Sequence, residues 1–127
     1  MSANHNKQVE YWIAGADSDI ETAKLLLEND KILHGLFFCH LSVEKILKSI
    51  IVNTSGEFAP KSHNIFFLAE KCGVKLPEEF ETLAGILMKY QLEGRYPDYE
   101  PDLPDKEKAW SYYNQTLEFK IWLKEKL

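Results

Sequence analysis

His40 and Glu44 stand four residues apart in a stretch whose apolar spacing is helical, so their side chains lie one turn apart on one face. Both fall in the middle of an apolar stripe, and Lys48, one turn further on, falls at its edge. Polar groups on such a face must be paired. Two roles follow: a hydrogen-bonded knot that fixes helix register, or, with Lys48, part of a nucleotide pocket. Arg95 is the single arginine among 15 basic residues, set in EGRYPDYEPDLPDKE, residues 93–107. A guanidinium grips phosphate, and the adjacent Tyr96 is placed to stack on a base. The local alternative has Arg95 tying Asp98 or Glu100 to the end of the preceding helix while Tyr96 seals the core under the loop. His63 either caps or packs at a loop, or meets a phosphate beside Arg95 if their two loops share an end of the fold. Lys45 is expected to be solvated. Asp17 flanks a core stripe or partners Lys48, and His5 and His34 read as exposed. A metal site is not expected, because repeated Glu-x-x-His pairs are absent and Cys39 and Cys72 lack CxxC spacing.

The elements that position these groups are helices. Val9, Trp12, Ile13, Ala16, Ile20, Ala23, Leu26 and Leu27 follow a 3–4 spacing that predicts a first helix over about Lys7–Asn29. A second, Lys31–Asn53, carries Leu33, Leu36, Phe37, Val43, Leu47, Ile50 and Ile51, with Phe38 and Ile46 outside that stripe. An apolar second side makes this helix central, or packed also on a second copy. Gly56 is placed to stop it. A short helix is predicted over Asn64–Cys72, with Ser62 as cap and Gly73 beyond its end. Pro77, Glu78 and Glu79 open a fourth helix carrying Phe80, Leu83, Ala84, Leu87, Met88 and Gln91, which Gly94 ends. Pro97, Pro101 and Pro104 make residues 95–104 a stiff crossover strap, its tyrosines lying on the bundle. The last helix begins near Asp105 or Lys106. It shows one face of Trp110, Tyr113, Leu117 and Ile121 and another of Tyr112, Phe119, Trp122 and Leu123, which suggests a subunit interface. No period-2 strand is present. The fold class is all-α: an up-and-down bundle of four long helices and one short one, in a single domain over residues 1–127.

A chain of 127 residues buries one core without disulfides or metal. The polar start, MSANHNKQVEYW, has no apolar signal region, and no apolar run reaches the roughly 20 residues that span a bilayer. Together with two unpaired cysteines this reads as a cytoplasmic protein. A net charge of −5 argues against a broad nucleic-acid coat but leaves room for one small basic site.

Four segments together resemble the HEPN domain family. WIAGADSDIETAKLLL (12–27) resembles the opening helix of these domains, and FFCHLSVEKILKSII (37–51) looks like the second. KSHNIFFL (61–68) is similar to their Thr/Ser-His motif before a short helix, and YQLEGRYPD (90–98) to the arginine-bearing segment ahead of the last long helix. The resemblance implies a compact helical bundle, commonly a homodimer, here through the last and second helices. It also implies a minimal nucleotidyltransferase as partner, as in toxin–antitoxin pairs, and nucleotide or RNA as ligand. No cofactor is implied. Many HEPN proteins are ribonucleases whose signature is an arginine, four to six residues, and a histidine. Arg95 matches the arginine, but no histidine follows it anywhere in this chain. The expectation is therefore a binding protein without its own catalysis, with Arg95, Tyr96, Lys48, His40, Glu44 and His63 at the nucleotide or phosphate site. The alternative is a ribonuclease in which Arg95 works with His63 or His40 as a non-standard proton carrier.

Overall fold

The computed structural model describes residues 3–127 apart from Gly94 and Tyr99, with side chains from residue 6 onward. Among the described residues five helices follow in order: α1 (Ala3–Glu28), α2 (Ile32–Ser55), α3 (Ile65–Cys72), α4 (Glu78–Met88) and α5 (Lys106–Lys124). Among the described residues there is no strand. The expected all-α bundle of four long helices and one short one is what forms.

α1 and α2 make an antiparallel hairpin. Its turn is closed by Asp30 in the left-handed region, φ 59°, a conformation Asp tolerates better than most residues. The two helices approach closely at Gly35, where a Cβ would stand 2.7 Å from Leu27 Cδ2. Ser42 Oγ donates across the same seam to the Ala16 carbonyl at 2.8 Å. α2 packs against all four other helices, and Ile46, outside its main stripe, is fully buried within the single chain. Its apolar second side is thus covered largely by its own fold, with Ile32, Leu33, Phe37 and Phe38 near its start half-buried.

Helix ends are set by local chemistry. Gly56 (φ 73°) and Gly73 (φ 69°) stop α2 and α3 in the left-handed conformation a Cβ disfavours. The cap of α3 is Asn64, not Ser62: the Asn64 side chain accepts from the Phe66 and Phe67 amides, while Ser62 Oγ accepts only from the Asn64 amide. Asp105 caps α5 by accepting from Lys108 N at 2.8 Å. Pro77 stands just ahead of α4 rather than inside it.

α4 ends at Met88, well before Gly94, which lies outside the described residues. The Lys89 and Tyr90 amides turn to the carbonyls three residues back, Ile86 and Leu87, tightening the last turn. Tyr90 and Gln91 then enter the core edge, both 5% exposed, and Tyr90 Oη donates to the Asp102 carbonyl at 3.4 Å.

α5 buries a single face drawn from both of those expected of it, with Trp110, Tyr112, Leu117 and Trp122 partly buried beside it. Its core positions are Ala109, Tyr113, Thr116, Phe119, Lys120 and Leu123, while Ile121 is 63% exposed. Phe80 of α4 stacks on Phe119 with ring centroids 4.7 Å apart. α5 runs antiparallel to α1, fastened by Lys106 to Asp30 at one end and by Lys120 and Lys124 to Asp17 at the other.

Candidate functional site

The straight run of α2 sets His40, Glu44 and Lys48 along one line, one turn apart, facing residues 61–64 and α1. His40 is fully buried. Its Nε2 lies 2.8 Å from the His63 carbonyl, which only accepts, so Nε2 carries the proton and donates. Nδ1 is then an acceptor, 3.8 Å from Glu44 Oε1 and without a hydrogen-bond donor among the described residues. Burial dominates this ring and pushes its pKa from 6.5 down to about 4, with the nearby His63 and Lys48 charges adding to the fall against the hydrogen bond to the His63 backbone. His40 is therefore neutral near pH 7 and unsuited to carrying protons there.

Glu44 is the hub. Its Oε2 accepts from Lys48 Nζ at 3.0 Å and its Oε1 faces His63 Nδ1 at 3.1 Å. The His63 ring reaches on to Glu93, with Nε2 2.6 Å from Oε2. The result is a chain of contacts, Lys48–Glu44–His63–Glu93, that runs from the α1–α2 seam to the segment holding Arg95. The loop after α2 and the segment after α4 do meet, through His63 and Glu93. Lys48 Nζ also lies 5.2 Å from the centroid of the Trp12 ring.

Arg95 follows two residues after Glu93. Its Nε donates to the Gln91 carbonyl at 3.0 Å and its Nη2 to the Met88 carbonyl at 3.4 Å. These carbonyls close the end of α4, where the helix has run out of amides and carries partial negative charge, so a guanidinium suits the place. Tyr96 does not lie on the bundle: it is 82% exposed. Arg95 and Tyr96 thus share a segment with Glu93, which meets His63; His40 lies beneath the His63 backbone, and Lys48 reaches toward Trp12.

Asp17 does not partner Lys48. Lys120 and Lys124 hold it at 3.0 and 2.8 Å. Burial acts to raise the Asp17 pKa, but hydrogen bonds and charge from the two lysines outweigh it, and the net shift is downward from 3.8. Lys120 is lowered by its burial, opposed by Asp17. Lys45 is half-buried against Asp19, with Nζ 2.7 Å from Oδ2, rather than simply solvated. Sequence reasoning overlooked Lys120, although positions 109, 113, 116, 120 and 123 keep a regular 4–3 spacing that puts it on the core face. It also overlooked Glu93, for which no periodic signal exists. Among the described residues no group of His, Cys, Asp and Glu is placed to hold a metal ion, and no helix is long and apolar enough to cross a membrane.

The described residues form a small all-α domain built as an antiparallel helical bundle. The HEPN domain model matches residues 9–126, and the chain belongs to the HEPN domain family. Two solved structures share the fold. TT1696 from Thermus thermophilus is 22% identical with a TM-score of 0.79, over 94% of this chain and 98% of that one. ST0689, described as an archaeal HEPN homologue, is 24% identical with a TM-score of 0.72, over 92% of this chain and 95% of that one. No curated protein matches the chain.

Proposed function

We propose that this HEPN domain is a binding module without chemistry of its own. It acts as a cytoplasmic homodimer that partners a minimal nucleotidyltransferase and engages a nucleotide or short RNA at the rim of Arg95, Tyr96 and His63. The observation that carries this reading is the engagement of its candidate proton carriers. His40 is sealed in the core and neutral, and His63 is clamped between Glu44 and Glu93. A general acid–base needs a ring nitrogen within reach of the scissile group. The exposed Tyr96 ring beside a guanidinium fits recognition of a base and its phosphate. Exposed Ile121 on α5 supports self-association through the last helix; the covering of α2 within the chain shifts the expected contact away from that helix.

The test combines light scattering, which should give twice the 14.8 kDa chain mass, with co-purification of any nucleotidyltransferase encoded next to the gene. RNA incubated with the purified protein should remain intact. One observation favours a ribonuclease instead: His63 is only partly buried and its carboxylate partner Glu93 lies two residues from Arg95. RNA cleavage that disappears in both Arg95→Ala and His63→Ala would establish that second reading and overturn the first.

A further inference from the structure

Lys48, which holds the Glu44 oxygen that His63 does not face, lines a cavity. The cavity holds about 420 Å³ and is walled by Tyr11, Trp12, Phe58, Pro60 and Lys61, a volume within the range of small-molecule sites. Its walls are almost wholly apolar, and two of its aromatic rings are unusually open: Phe58 is 82% and Tyr11 67% exposed. Large aromatic side chains left bare around a concavity mark a surface that something covers.

The polar groups narrow what that something is. Lys48 is 5% exposed. Its ammonium has three N–H groups. One goes to Glu44 Oε2 at 3.0 Å, and the Trp12 ring lies on another side with its centroid 5.2 Å away. Lys61 adds a second positive charge and Gln8 a single amide, while among the described residues no acid lines the cavity. Glu44 balances one lysine, so the cavity is left with about one net positive charge. A single negative charge on a flat apolar body complements this. A nucleotide, with a polar ribose and two or more phosphate charges, would leave most of its polar atoms against Trp12, Phe58, Ala59 and Pro60.

We propose that this cavity binds a small aromatic carboxylate, its ring packed between Trp12 and Phe58 and its carboxylate hydrogen-bonded to Lys48. The site is separate from the Arg95–Tyr96 rim and does not depend on nucleotide or RNA binding there. Lys48 shares Glu44 with His63, so the two places are joined through one carboxylate.

The test is an NMR titration of the full chain with naphthoate at neutral pH, alongside naphthylmethanol, which has the same rings without the charge, and AMP. Naphthoate should saturate one site and shift the Trp12 indole N–H, and naphthylmethanol should bind about tenfold more weakly or worse. Lys48→Met should erase the difference between acid and alcohol. Because that change touches a buried pair, Phe58→Ala provides an exposed control, and it should weaken both ligands while leaving the fold intact. Absence of a saturable shift at Trp12 overturns the proposal. So do equal affinities for acid and alcohol, naphthoate binding unchanged in Phe58→Ala, or AMP binding more tightly than naphthoate at Trp12.

Discussion

Glu44 and Lys48, one turn apart on α2, form a 3.0 Å ion pair whose side chains are 3% and 6% exposed. Such a pair adds little net stability over an apolar substitute, but removing one member strands the other. Glu44→Leu should therefore cost about 3–5 kcal/mol in urea unfolding, while Glu44→Leu with Lys48→Met should recover most of that loss. Equal destabilisation in the single and double variants would show that the pair is not the cause.

His40 gives stability a pH dependence of known sign. Burial lowers its folded pKa from 6.5 to about 4, so between those values the unfolded chain binds the extra proton. Stability is complete above pH 6.5 and declines as the pH falls toward 4, by up to about 3 kcal/mol from this group. His40→Gln keeps an N–H for the His63 carbonyl and cannot titrate. Its unfolding free energy, measured across that window, should fall less steeply than that of the unaltered chain.

Two helical glycines should respond to alanine with opposite signs. At Gly35 the new methyl would stand 2.7 and 2.8 Å from Leu27 Cδ2 and Cγ, a side chain locked in the core, and overpacking of this kind costs about 1–3 kcal/mol. At Gly85 the nearest atom is Phe66 Cζ at 3.9 Å, so Gly85→Ala should gain about 0.5–1 kcal/mol from helix propensity and reduced freedom of the unfolded chain. Thermal melts of the two variants check both signs.

Cys39 and Cys72 should be slow to react while the chain is folded. Burial pushes both thiols from 9 up to about 12, and Cys72 Sγ also donates to the Leu47 carbonyl at 3.3 Å. At pH 8 the reactive thiolate is then about a thousandfold scarcer than in the unfolded chain. Labelling with a disulfide reagent should be slow in buffer and prompt in denaturant; prompt native labelling would contradict the packing.

Much of this molecule can be read from residue spacing alone. The helices and their order follow from apolar periodicity and from Gly56, Gly73, Pro77 and Asp105 at their ends. The His40–Glu44–Lys48 line follows from the pitch of α2. What could not be read depends on tertiary placement. The early end of α4 comes from Tyr90 turning inward and Arg95 taking up the freed carbonyls, neither of which periodicity encodes. The inward face of α5 is obscured because a lysine at position 120 reads as a surface residue; its burial makes sense only beside Asp17. Glu93 joins His63 across thirty positions of sequence, a distance at which no local pattern operates.

Asp17 meets Lys120 and Lys124 across 103 and 107 positions of chain. During synthesis at roughly 5–20 residues per second, the first helix therefore waits on the order of 5–20 seconds for its last partner to be made. The hairpin of α1 and α2 needs only neighbouring sequence and can zip up early, but the flank that packs on α5 stays wet until α5 leaves the ribosome. Over that interval the nascent chain presents a greasy half-bundle to the cell, and the docking of α5 is the event that ends its exposure to chaperones and to its own kind.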